Sequence, residues 1–409
     1  MSLGGWNKMR NSLLTTERKW TLAAMGSSLV GIGLARLAFD PLQAALVESD
    51  WFTDGAAAYL ADANLIGYVL GALVAKWLAQ RVPTIMLLRI MMIAVSLSFL
   101  LCFSESMPFM WFFFWRFVSG LAGGVIMVVA SPTVLAYIAP ERRGVIGQMS
   151  LYGLALGVLV AGTLVPLLLK QGPTTVWLGV GGICLLITAL TWRLWPPSPK
   201  APDAKTPKTK APRAAYRLWL EYGLVAVGVV THMVFLVPYL EQNLQMASSV
   251  AAQFFLVYAA GALTGPFVFA YLTHRLGIHS TQRIAMPILL AANAAMLLLS
   301  FSYFGVGLSC FLAGLCLPGI ISIFLGLSQE LAQGDPNKHR AIWGTATVVF
   351  AVTQAGVGYV TAFTLTNFGV AYQELFAAAT VSVVLAIVVD LLPRRKHHQD
   401  LVPATPSTS

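Results

Sequence analysis

The chain has 409 residues, 57% of them hydrophobic and only 10% charged, against roughly a quarter charged in an ordinary soluble domain. Apolar runs of about 20 residues recur from end to end, each long enough to cross a ~30 Å hydrocarbon core, so a pair of water-soluble domains is excluded and an all-α polytopic membrane protein is expected. The net charge of +10 raises nucleic acid as a partner, and the placement of that charge, set out below, rejects it.

Twelve helices are expected, near residues 20–46, 58–80, 83–104, 108–138, 144–169 and 174–196, then 215–242, 249–275, 280–303, 306–332, 338–367 and 370–393. The polar N-terminus and the length of the first apolar run argue against a cleavable signal peptide. That first run contains GIGLARLAFDPLQAAL, which carries Arg36 and Asp40 through an otherwise apolar stretch. A charge in such a place is costly and usually faces a cavity or a partner, and helical spacing puts the two residues on one face. The segment MPFMWFFFWR supplies an aromatic belt where the fourth helix enters the bilayer. Between the sixth and seventh helices lies PPSPKAPDAKTPKTKAPRAAYR, too rich in Pro, Lys and Ala to pack a core. The expected organisation is a six-helix bundle over 1–197, a cytoplasmic linker over 198–214, a second bundle over 215–393 and a cytoplasmic tail over 394–409. The twelve helices thus form two pseudo-symmetric bundles.

With both termini cytoplasmic, every Lys and Arg except Lys170, Arg36 and Arg116 falls on the inner side, and the first outer loop, ESDWFTD, is acidic. The basic charge therefore belongs to the inner face of a membrane, here a bacterial inner membrane. The halves also repeat one another. YVLGAL at 68–73 matches YAAGAL at 258–263, and ERRGVIG matches KHRAIWG. The same spacing separates Arg143 from Arg340 and Pro41 from Pro238. A duplicated six-helix unit is one architecture of secondary transporters.

Twelve spans, a basic central linker and this duplication resemble the major facilitator superfamily over essentially the whole chain. FFFWRFVSGLAGG resembles the superfamily's Arg-containing fourth helix through Arg116, Gly120 and Gly124. The loop after helix two keeps Gly71, Lys76 and Arg81 but has Ala75 where many members have Asp, and LTHRLG has His274 at the acidic position. A narrower resemblance is to the YbfB/YjiJ-like branch, through Gly33, Arg36 and Pro41, then Gly67, Tyr68 and Gly71, and in helix eleven Phe350 and Gln354. GLALG in helix five is similar to the glycine-rich antiporter motif but lacks its Gly-Pro pair.

At 1.5 Å per helical residue, Asp40 lies roughly 10 Å and Arg116 roughly 12 Å below the outer surface, with Arg36 one turn deeper. The resemblance implies that helices one and four flank a central cavity, bringing the three charges into one neighbourhood. Two guanidinium forks suit a carboxylate or phosphate, so Arg36 and Arg116 are candidate substrate ligands. Asp40 is expected to be held by Arg116 and to be a candidate proton site; an alternative is a permanent Asp40–Arg116 bridge of purely structural value. His232 falls one position from the counterpart of Arg36 and is a second candidate for proton coupling, the alternative being a hydrogen bond within the helix packing. Glu221 is a third, unless it simply pairs with Arg217 at i−4. Asp390, beside RRK, is expected to be solvated. Tyr68, Tyr258, Asn64, Gln253 and Gln354 offer neutral hydrogen bonds to a substrate or between helices.

Other chemistry is missing from the sequence. No GxxxxGK[ST] loop points to ATP use, and the four cysteines and six histidines show no metal-ligand spacing, so no cofactor or metal is expected. The expected function is a proton-coupled secondary transporter, working as a single chain, for an anionic or zwitterionic organic solute. The alternatives are a proton/drug efflux antiporter for lipophilic compounds, a non-transporting sensor and an intramembrane enzyme.

Overall fold

The computed structural model describes residues 3–197, 212–368 and 372–392. Most of the expected linker and all of the expected tail, at 198–211 and 393–409, lie outside the described residues. Twelve apolar helices are present among them. They are α1 Thr16–Glu48, α2 Gly55–Arg81, α3 Thr84–Leu100, α4 Phe109–Leu135, α5 Pro140–Leu169 and α6 Pro173–Thr191, then α7 Arg213–Asn243, α8 Ser248–Leu276, α9 Ile278–Leu298, α10 Tyr303–Ala332, α11 Pro336–Thr361 and α12 Tyr372–Leu391. Eleven are long enough to span on their own; α3 is a shorter apolar helix. No strand occurs among the described residues.

Helices in lipid gain no hydrophobic free energy from leaving the hydrocarbon for one another, so they associate through close backbone approach at small residues. The tightest pair in the first six helices, α2 and α4, shows this. A methyl group added at Gly71 would come 2.1 Å from the Leu121 carbonyl, and one at Gly124 would come 2.2 Å from the Tyr68 carbonyl. The second six repeat the joint between α8 and α10, where a methyl group at Gly261 would come 2.1 Å from the Phe311 carbonyl and one at Gly314 2.0 Å from the Tyr258 carbonyl. The YVLGAL and YAAGAL matches are therefore two copies of one helix–helix contact, a glycine of each partner set under a carbonyl of the other.

Two departures from regular α-helix interrupt α1 and α7. In α1 the segment Leu29–Leu37 is π-helical, with Ala38 N–H donating to the Gly33 carbonyl at 3.2 Å. In α7 the π segment is Tyr239–Asn243, immediately after Pro238, which has no N–H to donate. Such bulges are rare and concentrate at functional sites. Arg36 lies inside the first.

The basic ends of the second six helices are tied by an ionic network. Arg217 Nε donates to Glu221 at 2.7 Å, Gln282 donates to the same carboxylate at 2.9 Å, and Arg283 Nε donates to Asp390 at 3.0 Å. Asp390 is buried, which corrects the expectation that it is solvated: α7, α9 and α12 converge on it, and two guanidinium groups compensate its charge.

Candidate functional site

A narrow cavity lies between the first and last six helices. Its walls come from both halves. The first contributes Arg36 on α1, Tyr68 on α2 and Met127 on α4; the second contributes Tyr222 on α7 and Phe350 and Gln354 on α11. Arg36 is the one charged side chain among the described residues that line it.

Arg36 is half-buried. Asp40 and Tyr68 are its electrostatic neighbours, yet no carboxylate among the described residues lies within the 4.0 Å of an ion pair. The expected pairing of Asp40 with Arg116 is likewise absent. Arg116 is 1% exposed and spends its guanidinium on structure: Nη1 donates to the Ala35 carbonyl at 2.9 Å, and the charged carbon sits 3.7 Å above the Phe39 ring. Asn64 belongs to the same joint, donating to Ser119 Oγ at 2.8 Å and to the Arg116 carbonyl at 3.3 Å. The π turn of α1 thus presents a carbonyl to Arg116 on one side and Arg36 to the cavity on the other. Asp40 is exposed and is not among the residues that line the cavity.

Of the other sequence candidates, Tyr68 and Gln354 reach the cavity, and the Gln354 Nε2 is buried without a protein partner. His232 does not; it is buried within the second half, its Nε2 2.9 Å from Ser309 Oγ and its ring edge-on to Phe376. Tyr258 and Glu221 also lie off the cavity lining, the latter in the ionic network above. Sequence reasoning missed Tyr222 as a cavity residue and gave Phe350 only as part of a motif. Both are aromatic residues in apolar helices, and nothing in their spacing sets them apart from core.

The cavity is closed toward the basic ends of the helices. Trp343 Nε1 donates to the Met127 carbonyl at 2.9 Å, Gln329 to the Leu135 carbonyl at 3.3 Å, Arg340 to Thr133 Oγ1 at 3.4 Å, and Gln148 to the Gly319 carbonyl at 3.4 Å. These four hydrogen bonds join the two halves. Toward the other ends α5 and α8 meet through apolar contact, Gly162 against the Phe255 ring.

Two six-helix halves around a central, mainly apolar cavity that carries one guanidinium define the fold of a membrane transporter. The family described as "Uncharacterised MFS-type transporter YbfB" matches residues 28–391, and the chain belongs to it. No curated protein matches the chain. Among solved structures it is similar in fold to a bacterial homologue of the iron transporter ferroportin in an outward-facing state, at 17% identity and a TM-score of 0.69, covering 92% of this chain and 98% of that one. The E. coli fucose:proton symporter is similar at 14% identity and 0.68, covering 91% and 97%. The human organic anion transporter MFSD10 is similar at 19% identity and 0.67, covering 91% and 99%.

Proposed function

We propose that the protein is a proton-coupled secondary transporter of a small organic anion or zwitterion in the bacterial inner membrane, working as a single chain by alternating access. The observation that carries this reading is Arg36, a half-buried guanidinium on a cavity between the halves with no carboxylate in ion-pair range. Such a group lowers its free energy by taking an anion into its planar donor fork. Tyr68 and the unpartnered Gln354 amide supply further hydrogen bonds. Asp40, exposed and one turn from Arg36 along α1, is assigned the proton; His232 and Glu221 are engaged elsewhere. Lys and Arg placement makes the hydrogen-bonded, basic end cytoplasmic. Each half acts as a body that rocks about the cavity.

The test is uptake into proteoliposomes under an imposed pH gradient. A labelled monocarboxylate should accumulate on the alkaline side with the wild-type protein and fail to do so with Arg36→Ala. A second reading, efflux of lipophilic cations against protons, is favoured by the exposed carboxylate of Asp40 and the structural engagement of Arg116. Gradient-driven movement of tetraphenylphosphonium that Arg36→Ala leaves intact would establish that reading and overturn the first.

A further inference from the structure

The two sides of the cavity differ in chemistry. The first half offers Arg36 and Tyr68; the second offers aromatic rings beside Thr347 and Gln354. Tyr222 lies 4.7 Å from Phe324 in a near-parallel arrangement, 5.3 Å from Phe350 and 6.0 Å from Trp343. Tyr222, Phe324 and Trp343 are buried, whereas Phe350 is only partly covered and lines the cavity together with Tyr222. The free face of this cluster is therefore turned to the empty space. A guanidinium on one wall and an unfinished aromatic stack on the other select a ligand with the opposite pattern, an acid group at one end and a flat ring at the other. With Arg36 the single charged lining residue described, a second negative charge on the ligand would be desolvated without a partner.

We propose that the ligand is a small aromatic monoanion, its acid group on Arg36 and its ring packed on Phe350 and Tyr222. This rests on the anion reading above and narrows it. The ligand bridges the halves, and its ring adds to the cluster that holds Trp343, whose indole closes the basic end against Met127. The aromatic wall and the closure are one structure, so occupancy of the wall is felt at the closure.

The test is isothermal titration of the purified full chain with phenylacetate and with cyclohexylacetate, acids of equal charge and similar shape that differ in the ring's π system. Wild type should bind phenylacetate about tenfold more tightly, the order expected for one aromatic contact. Phe350→Leu should remove that preference, leaving cyclohexylacetate affinity within about twofold. Tyr222→Phe, which keeps the ring, should preserve it. The wild-type comparison decides the matter even where a variant fails to fold. Equal affinity for the two acids, with both lost in Arg36→Ala, overturns the aromatic assignment and leaves the anion site standing. Binding of neither acid, with binding of benzyltrimethylammonium instead, overturns both.

Discussion

Arg36 and Arg116 are chemically alike in the sequence and opposite in the fold. The Arg116 guanidinium is consumed by a helix-one carbonyl and an aromatic face, and Arg36 has neither. Arg116→Ala should therefore lower stability by about 3 kcal/mol, the combined order of a charged hydrogen bond and a buried cation–π contact. The melting temperature of the detergent-solubilised variant would fall, while its preference for anions over cations would be unchanged; lost anion binding at wild-type stability would reverse the two roles. Asp40→Asn should abolish pH-driven accumulation in proteoliposomes and leave exchange of labelled for unlabelled substrate intact. Accumulation at the wild-type level would remove Asp40 from the proton path. Arg36, Tyr68 and Gln354 were legible in the sequence because a polar group in an apolar helix is costly and stands out. Tyr222 and Phe350 were not, since a ring facing a cavity and a ring facing the core have the same sequence surroundings. The engagement of Arg116 was hidden for another reason: depth along a helix says nothing about which neighbour a side chain meets.

At the scale of elements, apolar length and Lys/Arg placement made all twelve helices legible to within a few residues. The π segments were not, because a hydropathy window is blind to hydrogen-bond register; nor were the turns that break α5 at Leu151 and Thr163. The π segment ends between Arg36 and Asp40, so their spacing is not that of a regular α-helix. The glycine joints, in contrast, follow directly from sequence. A methyl group at Gly120 would sit 1.9 Å from the Asn64 carbonyl, whereas Gly182 has nothing within 4 Å. Gly120→Ala should cost at least the ~1–3 kcal/mol typical of overpacking, and Gly182→Ala should be neutral or slightly stabilising, because alanine is the better helix former. Thermal denaturation of the two single variants, made side by side, checks the contrast; equal melting temperatures would mean that α2 and α4 are not held as described.

Across the whole molecule, the asymmetry of the contacts between the halves sets the state. Hydrogen bonds close the basic end, and apolar contact joins α5 and α8 toward the other. Spin labels at the exposed positions Glu141 and His274, on α5 and α8 at the basic end, would report this closure as one short distance. Trp343→Ala removes both the Met127 bond and one ring of the aromatic cluster, and should broaden that distance toward longer values; an unchanged distribution would place the closure elsewhere. The central claim is that Arg36 holds an organic anion between the halves. Its most direct test is thermal unfolding of wild type and Arg36→Ala with sodium benzoate or tetraphenylphosphonium, each at an acidic and a neutral pH. Benzoate alone should stabilise the wild type, and its effect should disappear in Arg36→Ala. Stabilisation by the cation, retained in the variant, would contradict it.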